Sequence, residues 1–324
     1  MKRHFFTSPL APLATTAHRD GTVTSRMVIV GGGAAGDAAA AMLRAEGYKG
    51  QITMLSADEH TPGDRPNFST GTISGTVAMD LNFVRPSSFY AEHDIDLRLD
   101  ITVTSLNTDG HTVQLANGEI IAYDALLLAT GAEPIRLTVP GADLPHVRTL
   151  RTLSDSLDIA ERATRAKQAV VIGASFIGLE VAAALQARNV DVHVVARDDV
   201  PMTNILGREL GVFKQALHER HGVTFHLGTT VSRIDADHVH LENGEIIAAD
   251  LVIVGIGVRP ALALATQAGL AVDGSITKAG NTHCRHVLVQ AAWAYRLHPK
   301  SGPALAARQR GQSPAVTLHT WKAQ

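Results

Sequence analysis

The strongest constraint on this chain is that it repeats itself. Residues 115–134 read LANGEIIAYDALLLATGAEP and residues 241–260 read LENGEIIAADLVIVGIGVRP, 126 positions later. Each copy sets an Asn-Gly turn between short strand patterns, a hairpin signal, then continues into an apolar strand and a glycine-containing turn. A second pair lies upstream of the first: MVIVGGGAAGDAAAAMLRAEG at 27–47 and AVVIGASFIGLEVAAALQARN at 169–189. Two related units are therefore expected, each opening strand–glycine turn–helix. Apolar strands alternating with Ala-rich amphipathic helices imply parallel sheets, because parallel strands need crossover connections. The expected fold class is α/β and three-layered, with two tandem Rossmann-like dinucleotide-binding domains.

The glycines say what such units bind. Gly31, Gly33 and Gly36 give the G-x-G-x-x-G spacing directly after the strand VIV. The first makes the tight turn, the second lets a pyrophosphate approach the backbone, and the third lets helix and strand pack closely. The helix N-terminus presents free N–H groups and a partial positive charge to the phosphates. An acid is expected about 20 residues on, to hold a ribose hydroxyl, and Asp58 follows the strand pattern QITMLS. The second unit reads GASFIG, with Gly173 and Gly178 framing Ser175 at the middle position. Its second strand, DVHVV, runs into Ala196, Arg197 and Asp198. An acid there favours NAD and an arginine accepts the 2′-phosphate of NADP, and the sequence offers both.

Charge divides the chain. Beyond Asp273 there is no Asp or Glu, while Lys278, Arg285, Arg296, Lys300, Arg308, Arg310 and Lys322 carry seven positive charges. Residues 1–273 hold the remaining 22 basic and all 31 acidic residues, a net of −9. Both tryptophans and the only cysteine, Cys284, also lie beyond the boundary. The organisation expected is a flexible extension over 1–26, a first dinucleotide domain over 27–145, a second over 146–272, and a compositionally foreign tail over 273–324. No apolar run is long enough to span a bilayer, and the N-terminal residues lack the sustained apolar core of a signal peptide. A cytoplasmic location without membrane partners is the default expectation.

Residues 27–272 resemble the FAD-dependent pyridine nucleotide–disulfide oxidoreductase superfamily, in its ferredoxin/rubredoxin reductase and apoptosis-inducing-factor-like branch. The resemblance rests on GGGAAG, DRPNFS at 64–69, LLLATGAEP, LRTLSD at 150–155, GASFIGLEVA and GIGVRP. It implies that Gly31, Gly33, Ala34, Gly36 and Asp58 hold the ADP half of FAD. Arg65 would lie by the pyrophosphate, and Val103, Thr130, Gly131 and Arg151 would line the cofactor further on. It also implies that Gly173, Phe176, Ile177 and Gly178 receive NAD(P)H, with Gly257 close by and Glu180 beside the nicotinamide–flavin contact. The activity implied is electron transfer from NAD(P)H through FAD to a small iron–sulfur or rubredoxin-type carrier. With no cysteine in 1–283, a redox-disulfide mechanism is excluded. One departure stands out: PNFST places Thr70 where relatives carry a lysine, and Glu180 is expected to lose its partner as a result.

The tail resembles the C-terminal region of DEDD-type insertion-sequence transposases through SITKAGNTH, AAWAYR and RQRGQ. It stands where the family supplies a flavin-binding Ala-x-Gly-Asp segment and a C-terminal interface domain. The expectation is a truncated reductase with weakened FAD binding and poor turnover. The alternative is a non-catalytic nucleotide-binding remnant of a gene interrupted by a mobile element. Seven charges in the tail are too few to expect nucleic-acid binding, and His283, Cys284 and His286 lack the second half of a zinc site.

Overall fold

The computed structural model describes residues 25–270 and Val272. The tail, and all but the last two residues of the extension expected over 1–26, lie outside the described residues. Strand β1 (Arg26–Val30) takes in Arg26, whose backbone N–H donates to Asp124 Oδ2 at 2.6 Å.

Each of the two units is built on a parallel sheet. In the first unit, β1, β2 (Gln51–Leu55), β3 (Ile95–Arg98) and β7 (Ala125–Leu128) pair in the order β3-β2-β1-β7. Ile29, Ile52 and Met54 face α1 (Ala34–Ala45) and α3 (Ser88–Glu92), packing on Ala39, Ala40 and Tyr90. Val28, Val30 and Leu55 point the other way, onto an antiparallel sheet of β4 (Val103–Asn107), β5 (Thr112–Leu115) and β6 (Ile120–Ala122). The period-2 alternation of side chains thus buries both faces.

The second unit repeats the scheme with a fifth strand. Its order is β12-β11-β10-β16-β9, all parallel, from β9 (Val147–Thr149), β10 (Gln168–Ile172), β11 (Asp191–Ala196), β12 (Thr224–Leu227) and β16 (Leu251–Val254). One face packs on α4 (Leu153–Ala163) and α5 (Phe176–Gln186); α6 (Thr203–Leu206) and α7 (Arg208–Arg220) lead into β12. The other face is covered by β13 (Val231–Ile234), β14 (His238–Leu241) and β15 (Ile246–Ala248). The LRTLSD stretch starts α4 with a capping box, Thr152 accepting from the Asp155 N–H and Asp155 from the Thr152 N–H.

Two connections lock the units together. After β2 the chain makes α2 (Arg65–Asn67) and a single π-turn, Phe68–Thr72, whose Phe68 joins Ile73 in the core of the second unit. Ser156 Oγ of α4 donates to the Phe68 carbonyl at 2.6 Å. In return, β17 (Val258–Pro260) pairs antiparallel with β8 (Ala132–Pro134), and α8 (Ala263–Gln267) packs on β4. The chain has therefore already returned to the first unit by residue 258, ahead of the boundary at 272.

Candidate active site

A cleft of about 750 Å³ opens at the C-terminal ends of β1 and β2. Gly31, Gly33, Ala34, Asp58, Arg65, Val103, Thr130, Gly131 and Arg151 all line it, although they are spread over 121 positions of sequence. Gly36 does not. A Cβ there would sit 2.0 Å from the Gly31 carbonyl oxygen, so its duty is helix–strand packing. Gly31 has φ +123°, and a Cβ on it would strike the Ala129 carbonyl at 2.1 Å. Gly33 is different. It is the N-cap of α1, and among the described residues, its chain neighbours aside, the one atom within 4 Å of its hypothetical Cβ is Arg65 Nη2 at 3.3 Å.

The electrostatics of the cleft favour an anion. Arg65 and Arg151 enter it from different elements, and neither forms a salt bridge among the described residues. Crowding by protein lowers the pKa of Arg65, with Asp58 opposing that shift; desolvation and then the charge of Arg65 lower that of Arg151. Two guanidinium groups held near one another, neither in a salt bridge among the described residues, beside the first-turn N–H groups of α1, match a pyrophosphate. Asp58 is oriented by the His60 N–H, which donates to its Oδ1 at 3.1 Å. Thr130 directs its hydroxyl proton away from the cleft: Oγ1 donates to the Ala261 carbonyl at 2.8 Å, and the Ala261 N–H donates back to the Gly131 carbonyl. Ala263, Leu264 and Gln267 of α8 complete the wall. The repeat did not point to them, because the second copy ends at Pro260.

In the second unit, Gly173 (φ +108°) and Gly178 perform the same steric duties as Gly31 and Gly36, with hypothetical Cβ atoms 2.4 Å from Gly255 O and 2.0 Å from Gly173 O. Ser175 Oγ donates to Gly255 O at 2.9 Å, which ties the turn to the end of β16. Phe176 is exposed beside it, Ile177 is half-buried, and Gly257 (φ +113°) abuts Ile135. Glu180, one turn into α5, reaches the π-turn of the first unit. Ser69 Oγ donates to its Oε2 at 2.6 Å. The expectation that Thr70 leaves Glu180 without a partner is thus corrected. The partner is the buried Ser69 hydroxyl, while Thr70 is exposed and donates to the Pro66 carbonyl at 2.7 Å.

The profile described as Pyridine nucleotide-disulphide oxidoreductase matches residues 25–307. This chain belongs to that family. Rhodocoxin reductase of Rhodococcus erythropolis is 38% identical over 255 residues, 77% of this chain and 60% of that protein. Rubredoxin-NAD(+) reductase of Pseudomonas putida is 36% identical over 77% of this chain and 66% of its own length. Among solved structures, the covalent putidaredoxin reductase–putidaredoxin complex aligns with a TM-score of 0.75 at 33% identity, covering 78% of this chain and 63% of the matched one. This family member therefore spans about 60–66% of the length of those relatives. The family's cofactors are FAD and NAD(P)H, and the cleft fits the first of them: two arginines outside any salt bridge among the described residues, an open helix N-terminus, and a glycine whose side-chain space faces Arg65. No helix among the described residues is long and apolar enough to cross a membrane.

Proposed function

We propose that this chain is an FAD-dependent NAD(P)H oxidoreductase that passes electrons to a small iron–sulfur or rubredoxin-type carrier. When bound, FAD supplies the chemistry, taking a hydride from reduced nicotinamide and releasing electrons singly. The chain's residues do the rest. Arg65, Arg151 and the α1 N-terminus hold phosphate charge, Gly33 leaves room for its approach, and the Gly173–Gly178 turn receives the second nucleotide. The observation that carries the reading is the Ser69–Glu180 hydrogen bond. It joins the π-turn of the flavin unit to α5, the helix after the glycine turn of the nucleotide unit, at 2.6 Å, and fixes a carboxylate between them. Similarity to reductases named for rhodocoxin and rubredoxin supports the acceptor class.

Glu180→Gln keeps the shape and removes the charge. Flavin content is expected to stay level while anaerobic bleaching by NAD(P)H slows by roughly ten- to 100-fold, the worth of one hydrogen bond to a charged group. Parallel loss of flavin and rate would reassign Glu180 to a structural role.

One observation favours the alternative of a nucleotide-binding remnant. Glu180 has no cationic partner among the described residues, and Thr70 spends its hydroxyl on its own turn. A chain that keeps its flavin and is bleached by neither NADH nor NADPH would establish that reading. The tail's resemblance to transposase sequence belongs to the same proposal, and it overlaps the family match over 273–307.

A further inference from the structure

The two units end their second strands differently at the same place. Gly31 N–H donates to Leu55 O and Gly173 N–H donates to Val195 O, both at 2.8 Å, so Leu55 corresponds to Val195. Ser56 then corresponds to Ala196, Ala57 to Arg197 and Asp58 to Asp198. A Cβ on Gly32 would lie 2.3 Å from Ser56 Oγ, which shows that this position faces the glycine turn. In the second unit it is held by Ala196, a buried methyl group that can accept nothing from a ribose hydroxyl. The next residue, Arg197, is exposed, and its side chain makes no hydrogen bond or ion pair among the described residues.

We propose that the second unit selects the 2′-phosphorylated dinucleotide, NADP(H), and that Arg197 binds the 2′-phosphate. The inference rests on the reading of this unit as the nicotinamide-nucleotide site. A carboxylate at the strand end accepts ribose hydroxyls and repels a phosphate, whereas a guanidinium forks onto phosphate oxygens. Here the turn-facing position has lost any acceptor, and an unengaged arginine follows it. Two acids oppose the assignment by sequence. Asp199 is turned towards the end of β12, with Oδ1 3.2 Å from the place a Gly228 Cβ would take. Asp198 is the counterpart of Asp58, but it lacks what orients Asp58. The His60 N–H holds the Asp58 carboxylate, while among the described residues Asp198 engages through its backbone carbonyl alone, accepting from the Gly228 N–H. An exposed carboxylate that nothing orients can turn away from a phosphate, and water and salt screen what repulsion is left. This preference would set the chain apart from the relative whose name specifies NAD(+).

The test needs neither flavin nor turnover. Calorimetric titration of the full chain with 2′,5′-ADP and with 5′-AMP compares two fragments that differ only in the 2′-phosphate. The 2′,5′-ADP is expected to bind roughly ten- to 100-fold more tightly, as for one charge-assisted arginine contact. The margin should shrink as salt rises, because the pair is exposed. Arg197→Ala should bring the two fragments to similar affinity. Asp198→Asn should leave 5′-AMP binding unchanged and keep or tighten 2′,5′-ADP binding, by removing a like charge. Equal or tighter binding of 5′-AMP by the natural chain overturns the proposal, as does an undiminished preference in R197A. If D198N weakens 5′-AMP and leaves 2′,5′-ADP unchanged, Asp198 is the ribose acid and the assignment also falls. A chain that shows the R197-dependent preference but is not bleached by NADPH would count against the reductase reading and leave this site standing.

Discussion

The two glycine turns are built on one template, and setting them side by side separates what the fold requires from what a ligand requires. Gly31 and Gly173 both have φ beyond +100°, and in both any Cβ would strike a backbone carbonyl across the sheet. Gly36 and Gly178 both lie 2.0 Å, at the hypothetical Cβ, from the carbonyl of the first glycine. These four positions follow from backbone geometry alone. Between them the units diverge. Gly33 sits at φ −83°, ψ −175° and Ser175 at φ −86°, ψ −176°, the same conformation with and without a side chain. Serine's presence shows that the fold does not need glycine there. What fixes Gly33 is the space in front of Arg65, so it is the one glycine of the first motif that reports on a ligand.

A second divergence lies one residue past the third glycine. The second unit has Leu179, buried in its core; the first has Asp37, 2% exposed, paired with Arg85 Nε at 3.0 Å and accepting from Tyr90 Oη at 2.9 Å. Desolvation, then the Asp37 charge, push the Tyr90 pKa well above its ordinary value. The largest effect predicted is for Asp37→Leu, which imports the residue of the second unit. It strands Arg85 and the Tyr90 hydroxyl, and should cost about 3 kcal/mol of unfolding free energy in urea, the low end for a broken buried pair because Arg85 can reach water. Adding Arg85→Met should restore much of the loss. If D37L alone is neutral, the first unit tolerates an apolar residue as readily as the second, and the contrast is one of history and not of packing.

Next in size is Gly33→Val. Because the backbone at 33 is ordinary and only Arg65 is nearby, the thermal midpoint of the flavin-free chain should barely move. Flavin absorbance per mole of protein should drop at least tenfold, since a branched side chain would fill the phosphate approach. Gly36→Val is the control, expected to lower folding yield itself because its Cβ meets backbone. Unchanged flavin content in Gly33→Val would break the division of duties argued above.

The parts of the molecule legible in the sequence are those governed by local rules. Strand–turn–helix order, the glycine spacing, the capping box at Thr152 and the apolar strands all follow from patterns within about 20 residues. Arg65 and Arg151 were reached through the resemblance, and the cleft shows them together. The Ser69–Glu180 contact was not legible, because 111 residues separate the partners and a π-turn, rather than a regular helix, aims the serine. The motif pointed one residue too far, to Thr70. The wall supplied by α8 was missed for a related reason. The second repeat ends at Pro260, and nothing local says that the chain then turns back onto β4.

The smallest effect concerns the start of each central strand. Asp124 and Asp250 stand 126 residues apart at matching places, and each accepts backbone N–H groups where the strand that enters the glycine turn of its unit begins: Arg26 at 2.6 Å, and Lys167 and Gln168 at 2.7 and 3.0 Å. The Arg26 side chain also donates to Asp124, whereas the hydrogen bonds to the Asp250 carboxylate among the described residues come from backbone N–H groups, with the Lys167 charge nearby. Hydrogen bonds from Gln168 and Lys167 lower the Asp250 pKa. A carboxylate whose folded pKa is depressed adds stability that is fully present above its unfolded pKa and disappears as pH falls through the folded one. Asp250→Asn should therefore cost only about 0.5 kcal/mol near neutrality, since the group is exposed and its bonds are shared with water. Its stability should also fall less steeply than that of the natural chain on the acid side of the ordinary carboxylate range. Urea midpoints at neutral and acid pH would read both. Parallel pH curves for the two proteins would mean that Asp250 only caps the strand sterically, and that the guanidinium beside Asp124 is what makes this position matter in the first unit.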